Sequence, residues 1–99
     1  MDSTISDTFA EVCVTITNKQ GMHGRPASQF VRIAGQFPGA EISVRKEGFE
    51  VSGKSIFGLM MLAAGPGTKL TICARGQGAG DAAAKLRDLI ASGFGEELA

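Results

Sequence analysis

Hydrophobic and polar residues alternate along four short segments of the chain and recur at helical spacing along three longer ones. Alternation with a period of two is typical of half-buried strands, which we predict at 12–17, 41–45, 49–51 and 68–74. Apolar residues three and four positions apart indicate helices, which we predict at 24–37, 55–64 and 81–91. Residues 1–11 show no period, so we predict a flexible N-terminal tail before a single domain at 12–99.

The predicted element order is β-α-β-β-α-β-α. A chain of 99 residues is long enough for one hydrophobic core and too short for two. Helices interleaved with strand pairs in so short a chain indicate an α+β fold. We expect one antiparallel sheet covered on one face by helices.

The charge balance excludes several classes of partner. Ten basic and ten acidic residues give a formal net charge of zero, whereas a nucleic-acid binder needs a concentrated basic surface and an anionic membrane attracts a polybasic segment. No apolar run approaches the roughly 20 residues that span a bilayer. The polar, acidic start is unlike a secretory signal, so we expect a cytoplasmic protein that binds neither nucleic acid nor membrane.

The two cysteines, Cys13 and Cys73, lie far apart in predicted strands. The sequence has no CxxC motif and one histidine, which disfavours a zinc site. A reducing cytosol disfavours a disulfide, so we expect two small buried residues. We expect no metal and no other cofactor.

The single histidine, His23, lies in Gly21-Met-His-Gly-Arg-Pro-Ala27, between a predicted strand and a predicted helix. The flanking Gly21 and Gly24 leave room for a large partner to approach. The first N–H groups of a helix have no acceptor within it and, with the helix dipole, attract phosphate. Arg25 adds a guanidinium that donates paired hydrogen bonds to phosphate oxygens. The segment therefore predicts an anion site beside a nitrogen nucleophile.

These residue types favour a phosphoryl carrier over a hydrolytic enzyme. A neutral imidazole nitrogen attacks phosphorus to give a labile phosphoramidate. The sequence offers His23 no evident acid–base partner and no metal cluster. A lone histidine is more often structural than reactive, and that alternative stays open on the residues alone.

Two segments resemble the signatures of HPr, the histidine-containing phosphocarrier family of the bacterial phosphotransferase system. One is Ile16-Thr-Asn-Lys-Gln-Gly-Met-His-Gly-Arg-Pro-Ala27 and the other is Gly53-Lys-Ser-Ile-Phe-Gly-Leu-Met-Met-Leu62. The resemblance runs from about Val12 to Glu97. It implies an open-faced β-sandwich with a four-stranded antiparallel sheet in the order 1-4-2-3 and three helices on one face.

The resemblance also implies a function and a set of site residues. His23 would accept a phosphoryl group on Nδ1 from the phosphoenolpyruvate-dependent Enzyme I and pass it to a histidine of an Enzyme IIA. Arg25 and the backbone N–H groups of Gly24 and Arg25 would hold the phosphate. Gly24 departs from the Ala or Thr usual in the family, which weakens the helix start by up to about 1 kcal/mol relative to Ala.

Ser55 has two compatible interpretations. It stands at the start of a predicted helix, where its hydroxyl oxygen can accept hydrogen bonds from the first backbone N–H groups of that helix. It also matches the regulatory serine that an HPr kinase/phosphorylase modifies in many relatives, which would make that enzyme a further partner. A phosphate is tolerated at a helix N-terminus, so its charge would alter docking more than folding.

The second predicted helix is apolar almost all round, which is more surface than a helix lying on a sheet can bury. We assign Leu59 and Leu62 to the core and the other large apolar side chains to a docking patch beside His23, for which adaptable methionines are suited. The docking patch consists of Met22, Ile56, Phe57 and Met60, with Gln29 and Arg32 as its polar rim. A carrier that must dock and leave is expected to be a monomer.

Two features resemble the nitrogen-related NPr branch, namely Ile-Thr-Asn-Lys at 16–19 and the ending Ser-Gly-Phe-Gly-Glu-Glu at 92–97. They imply a nitrogen-type Enzyme I and Enzyme IIA and a regulatory output. The alternatives are a sugar-transport HPr regulated at Ser55, a binding-only regulatory domain using the same surface, and a small ligand-binding α+β domain. The intact His23 and Arg25 disfavour the binding-only alternative.

Overall fold

A computed structural model describes residues 4–99 of the chain. The strands are β1 (Thr4–Ile5), β2 (Phe9–Thr15), β3 (Ala40–Lys46), β4 (Phe49–Ser52) and β5 (Lys69–Gly76). The helices are α1 (Gly24–Ala34), α2 (Ile56–Met61) and α3 (Ala79–Ala91), and a 3-10 turn follows at Gly93–Gly95.

The strands form one antiparallel sheet in the order β1-β2-β5-β3-β4. The four predicted strands correspond to β2, β3, β4 and β5, and their predicted order 1-4-2-3 is confirmed. The register places Val12 of β2 opposite Ile72 of β5, and Ile72 opposite Val44 of β3. These three side chains share one face of the sheet, and that face is the one the helices cover.

The N-terminal segment differs from the prediction. Strand β2 begins at Phe9 rather than at residue 12, and β1 pairs with it so that Thr4 faces Glu11 and Ile5 faces Ala10. The prediction placed residues 1–11 outside the domain as a flexible tail, whereas the structure pairs Thr4–Ile5 and Phe9–Glu11 into the sheet; residues 1–3 lie outside the described part. A strand of two residues is too short to show a hydrophobic period, and the small Ala10 did not register as a core position although it is fully buried.

One hydrophobic core fills the space between the sheet and the three helices. Its largest fully buried side chains come from every layer, and removing one of this size costs about 2–5 kcal/mol. They are Val12, Ile16, Phe30, Val44, Leu59, Leu70, Ile72, Leu86 and Ile90. The predicted α+β sandwich with helices on one face of an antiparallel sheet is confirmed.

The helices are shorter or shifted relative to their predicted limits. Helix α1 ends at Ala34, where Gly35 caps it, three residues before the predicted end at 37. Helix α3 begins at Ala79 and its N-cap is Gly78, although Asp81 is the better capping residue by type. The Asp7 carbonyl oxygen accepts hydrogen bonds from the N–H groups of Gly78 and Ala79, both at 3.2 Å. The N-terminal segment therefore does the capping that a side chain at the helix start was expected to do.

The two cysteines alternate with core residues along β2 and β5, which puts both on the sheet face opposite the helices. Cys73 is buried and Cys13 is half-buried, and both thiols are free. The Cys13 sulfur lies 3.6 Å from the Thr71 hydroxyl on the neighbouring strand. Within residues 4–99, no helix has the length and apolar character needed to cross a membrane.

Candidate functional site

His23 is the residue immediately before α1, where the chain turns from the sheet into the helix. Its backbone is extended, with φ −99° and ψ −165°, so it occupies the N-cap position without using its side chain as a cap. The loop before it is held by short contacts: the Gly21 N–H donates to the Asn18 carbonyl at 3.2 Å, and the His23 N–H donates to the Gly21 carbonyl at 3.0 Å. The His23 side chain therefore projects from a fixed backbone and is not used as a helix cap.

Gly21 is the residue that allows this loop to pack. Its φ of +68° lies in the left-handed region, and a Cβ there would collide with the Ala64 carbonyl oxygen. The next residue, Met22, donates its N–H to that same carbonyl oxygen at 2.8 Å. The close approach ties the site loop to the segment that follows α2, and so connects His23 to the surface around α2.

The first turn of α1 presents free backbone donors beside His23. The Ala27 N–H donates to the His23 carbonyl at 3.0 Å, and Pro26 has no N–H. Within residues 4–99, the N–H groups of Gly24 and Arg25 have no hydrogen-bond acceptor. An added Cβ at Gly24 would meet nothing within 4 Å, so this part of the site is open. Two free donors at the positive end of a helix dipole suit an anion.

The His23 ring contacts an acidic residue from the far end of the chain. Its Nε2 lies 3.0 Å from Oε1 and 3.1 Å from Oε2 of Glu96. The Glu96 side chain is only 8% exposed, whereas about a third of the His23 side chain is exposed. The Arg25 Nε lies 3.3 Å from Glu96 Oε2, and 71% of the Arg25 side chain is exposed. The guanidinium is thus held at one nitrogen while its outer part faces solvent.

Glu96 is fixed in place by its neighbours along the chain. Residues 93–95 all have φ between 58° and 74°, and the buried Phe94 at their centre anchors this left-handed turn in the core. The chain then pairs with the loop before His23: Leu98 bridges to Asn18, and the Lys19 N–H donates to the Glu97 carbonyl at 2.8 Å. We call residues 93–99 the C-terminal strap.

Asn18 joins the strap to the site loop through its side chain. It is fully buried, and its Nδ2 donates to the Gly21 carbonyl at 2.8 Å and to Glu96 Oε1 at 3.1 Å. A buried amide whose donors are both used fixes the groups it contacts. Glu96 is therefore a fixed acceptor beside Nε2 of the His23 ring.

The surroundings lower the pKa of Glu96 below its ordinary value. The largest cause is the hydrogen bond with His23, and the hydrogen bond from Asn18 and the charges of His23 and Arg25 act in the same direction. Partial burial acts in the opposite direction and is outweighed. The carboxyl group is accordingly ionised at neutral pH.

A cleft of about 390 Å³ opens beside the imidazole, between the site loop and the C-terminal strap. Besides His23, Arg25 and Glu96, its walls include Lys19 and Gln20. A second cleft, of about 370 Å³, lies on the opposite side of the sheet around Cys73 and holds no part of this site. In the described part of the chain, no three His, Cys, Asp or Glu side chains cluster closely enough to ligate a metal ion.

The structure distributes the predicted docking residues between surface and core. Ile56, Phe57 and Met60 are exposed, Phe57 to 82%, and Leu59 and Leu62 are buried as predicted. Met61, which the sequence left unassigned, is also exposed. Of the predicted rim, Arg32 is exposed and Gln29 is half-buried.

Met22 is the predicted patch residue that the structure contradicts. Its side chain is only 5% exposed and packs in the core. The reason is the hydrogen bond from its N–H to the Ala64 carbonyl, which holds the loop against the end of α2 and turns the side chain inward. Met22 therefore supports the loop from below and is not part of the docking patch.

Ser55 caps α2 as predicted. Its hydroxyl oxygen accepts a hydrogen bond from the Gly58 N–H at 3.0 Å, and the residue is half-buried. The exposed Ile56 and Phe57 follow it directly. A group attached to Ser55 would therefore stand next to the apolar surface.

Glu96 is the site residue that sequence reasoning missed. It is 73 positions from His23, and no periodicity links the two residues. The available signal was an acidic pair following Gly93-Phe94-Gly95, since glycines on both sides of an aromatic residue indicate a tight turn anchored in the core. Nothing in that signal specifies where the turn points.

Comparison with known proteins agrees with this architecture. A family model described as "PTS HPr component phosphorylation site" matches residues 10–92. The phosphocarrier protein HPr of Neisseria meningitidis serogroup A is 43% identical over 83 residues, which cover 84% of this chain and 92% of that protein. The HPr-like protein Crh of Bacillus subtilis is 40% identical over 73 residues, 74% of this chain and 85% of Crh.

Solved structures give the same result at the level of the fold. The crystal structure of HPr from Thermoanaerobacter tengcongensis superposes with a TM-score of 0.83 at 43% identity, covering 89% of this chain and 98% of that one. The phosphocarrier protein HPr of Bacillus anthracis superposes with a TM-score of 0.78 at 36% identity, covering 83% and 96%. The chain therefore belongs to the HPr family, whose members are phosphocarrier proteins of the phosphotransferase system rather than catalytic enzymes.

Proposed function

We propose that His23 is the residue that carries the phosphoryl group, receiving it on Nδ1 from phospho-Enzyme I and delivering it to a histidine of an Enzyme IIA. One observation supports this assignment above all. The only histidine of the chain stands at the open N-terminus of α1, with Arg25 in the same cleft and two free backbone N–H groups in the first turn of the helix. A phosphocarrier needs a nucleophile and an anion site in one place, and this place has both.

Transfer to His23 is a displacement at phosphorus. The Nδ1 lone pair forms the new N–P bond while the bond from phosphorus to the donor atom of Enzyme I breaks, and its electron pair stays with the donor. Delivery reverses the roles, so Nδ1 recovers its lone pair as the acceptor nitrogen of Enzyme IIA binds phosphorus. No water is consumed in either direction of transfer.

Arg25 and the helix start hold the transferred group. The free N–H groups of Gly24 and Arg25 donate to phosphate oxygens, and the helix dipole favours their negative charge. The Arg25 guanidinium is bound to Glu96 through Nε, which leaves its outer nitrogens to donate to the phosphate. The same charges stabilise the transferring phosphoryl group, where charge on its oxygens is spread.

The docking patch supplies the surface for both partners. With Met22 removed and Met61 added, it consists of Ile56, Phe57, Met60 and Met61, all exposed on the short helix α2. The hydrogen bond from Met22 to Ala64 holds this helix end next to the His23 loop. Flexible methionines accommodate two different partners on one surface, and Gln29 and Arg32 would border it.

Radiolabelled phosphoenolpyruvate and Enzyme I test the assignment of His23. The wild type is expected to take up acid-labile label and the His23→Ala variant none. Arg25→Ala, which keeps the nucleophile, is expected to be labelled on the order of tenfold more slowly, since one charge-assisted contact to phosphate is lost. Equal labelling of wild type and His23→Ala would overturn the proposal.

The branch proposed is the nitrogen-related one, with a nitrogen-type Enzyme I and Enzyme IIA and a regulatory output. Its support is the pattern at 16–19 and 92–97, and both segments meet at the site, where Asn18 contacts Glu96. Transfer from the phosphorylated protein to nitrogen-type and sugar-type Enzyme IIA tests the branch. Faster transfer to the nitrogen-type acceptor is expected, and faster transfer to the sugar-type acceptor would assign the chain to the sugar branch.

A second candidate is a sugar-transport HPr regulated at Ser55. The observation in its favour is that Ser55 stands half-buried at the start of α2, directly beside Ile56 and Phe57. A phosphate there would place about two negative charges next to the docking patch. Incubation with HPr kinase/phosphorylase and ATP tests it, with Ser55→Ala as the control. Regulation would appear as label on Ser55 together with weaker phosphorylation by Enzyme I.

The binding-only alternative predicts docking without phosphate turnover at His23. The labelling experiment decides against it if His23 turns over. We further propose that the protein acts as a monomer in the cytoplasm. Light scattering at the concentration of the transfer assay tests the monomer, and a mass twice that of one chain would contradict it.

A further inference from the structure

We propose that Glu96 is a positioning residue that holds the His23 proton on Nε2 and thereby leaves Nδ1 as the nucleophilic nitrogen. The inference rests on the proposed function in taking His23 as the phosphorylated residue. The family match ends at residue 92, so it does not include the C-terminal strap that carries Glu96. The assignment comes from the contacts of that strap with the site loop.

The hydrogen-bond geometry determines which ring nitrogen carries the proton. Both oxygens of Glu96 face Nε2, at 3.0 and 3.1 Å. An ionised carboxylate accepts hydrogen bonds and cannot donate, so Nε2 must be the donor. A neutral imidazole has a single N–H, and Nδ1 therefore keeps its lone pair. The hydrogen bond at Nε2 therefore determines that Nδ1 is unprotonated in the neutral ring.

Several contacts hold the Glu96 carboxylate in a fixed position. Asn18, itself fully buried, donates to Glu96 Oε1 at 3.1 Å, and Arg25 Nε lies 3.3 Å from Oε2. The strap on both sides is pinned, by the buried Phe94 before Glu96 and by the bridge between Leu98 and Asn18 after it. The lowered pKa of Glu96 agrees with a carboxylate that is stabilised in its charged form. A surface glutamate without these contacts could not fix the ring.

The same contact suits the phosphorylated ring. Once phosphorus is bound to Nδ1 and the proton remains on Nε2, the ring carries a positive charge. Glu96 places a negative charge against that proton, so the charged ring is stabilised and no proton has to leave during transfer. A ring that keeps this proton is also the better leaving group when the phosphoryl group moves on. Glu96 therefore acts in both directions of transfer without touching phosphorus.

Nitrogen-15 NMR of the His23 ring tests the inference without any partner protein. In the wild type, near pH 8, Nδ1 is expected to give the shift of an unprotonated nitrogen and Nε2 that of a protonated one. Glu96→Ala removes the acceptor, and the two shifts should move toward each other as both tautomers become populated. Glu96→Gln keeps an oxygen that can accept and should lie between the two. Glu97→Gln changes the neighbouring side chain, which lies 3.9 Å from the Lys19 ammonium group, and should match the wild type.

Phosphorylation kinetics provide the second readout. Glu96→Ala is expected to lower kcat for labelling by Enzyme I by about tenfold, the effect of losing one charge-assisted hydrogen bond, with KM unchanged because the docking patch is intact. An amide proton spectrum like that of the wild type shows that each variant is folded. If Glu96→Ala unfolds the strap, the wild type is compared with Glu96→Gln alone.

The outcomes separate this inference from the proposed function. An unchanged ring signature in folded Glu96→Ala or Glu96→Gln overturns the positioning role, even if the wild type is labelled on His23. A wild type that takes no label overturns the proposed function, whichever tautomer the His23 ring adopts. A shifted tautomer together with a lower kcat supports both.

Discussion

At the residue scale, the contacts of Glu96 make the stability of the protein depend on pH. The pKa of Glu96 is lowered in the folded state from its ordinary value of 4.5, chiefly by the hydrogen bond with His23. A group with a depressed pKa binds fewer protons in the folded than in the unfolded state. Its contribution to stability is therefore complete above its ordinary pKa and is lost as the pH falls through the folded value.

We predict that the wild type loses stability on acidification more steeply than Glu96→Gln. Near neutral pH the variant should be the less stable protein, and below pH 4.5 the difference between the two should shrink as Glu96 takes up its proton. Urea denaturation at a series of pH values measures this, with Glu97→Gln as the control. A constant difference between wild type and Glu96→Gln across that range would contradict the assigned contacts.

Substitution by alanine should change the stability of the protein in opposite directions at the two glycines that flank Met22 and His23. Gly21 has a φ of +68° and no room for a Cβ beside Ala64, so Gly21→Ala should destabilise the fold by about 1–3 kcal/mol. Gly24 opens α1 with space around it, so Gly24→Ala should stabilise by up to about 1 kcal/mol. Thermal or urea unfolding of the two variants provides the measurement. Equal destabilisation by both would mean that the helix start is not open.

At the scale of elements, the N-terminal segment and α3 are fitted to each other. Gly80 lies inside α3, where alanine is normally the better residue, and an added Cβ would stand 2.6 Å from the Ser6 carbonyl oxygen. The glycine is therefore required by the segment that packs over it. The Asp7 carbonyl completes the fit by accepting the first N–H groups of the helix.

The sign of the stability change caused by Gly80→Ala tests how the N-terminal segment packs on α3. Gly80→Ala in the full chain should destabilise the protein, because the backbone of Ser6 cannot yield without losing the cap at Asp7. In a chain shortened by residues 1–8 the same substitution should stabilise by about 1 kcal/mol, the helix propensity difference. Urea unfolding of the four proteins measures both effects. A stabilising effect in both backgrounds would show that the backbone of Ser6 does not pack on α3 as described.

The cap of α2 carries a prediction of its own. Ser55→Ala removes the acceptor of the Gly58 N–H and should cost about 1 kcal/mol, because a helix of six residues has little else to hold its first turn. Ser55→Asp keeps an acceptor there and should restore most of that stability. Comparable losses in both variants would show that the hydroxyl does not act as a cap.

The hydrophobic pattern of the sequence predicts most of the strands and helices. It does not predict the contacts that the N-terminal and C-terminal segments make with the rest of the fold. Alternation located the four main strands, and the HPr resemblance supplied their order. The two-residue strand β1 has no period to detect, and the segment after it caps α3 through the Asp7 carbonyl. Glu96 depends on three successive left-handed residues and on a buried Phe94, which together set the direction of the strap. Met22 was predicted to lie at the surface because its burial depends on a backbone hydrogen bond to Ala64, which the hydrophobic pattern does not reveal.

At the scale of the whole molecule, the docking patch is an apolar surface that the fold leaves uncovered. Phe57 is its most exposed large side chain, at 82%. We predict that Phe57→Ser raises KM for phosphorylation by Enzyme I severalfold, leaves kcat nearly unchanged, and does not lower the thermal midpoint. Ile5→Ser, at an exposed position of the opposite sheet edge, should leave KM unchanged. A lower kcat with constant KM in Phe57→Ser would place this side chain outside the docking surface.

In the proposed function the phosphoryl group resides on one particular atom, Nδ1 of His23. The protein labelled with nitrogen-15 in its histidine ring, treated with Enzyme I and phosphoenolpyruvate, gives the most direct test. We expect a nitrogen–phosphorus coupling at Nδ1 of His23, with Nε2 still protonated. Coupling at Nε2, or phosphate on any other residue, would contradict it.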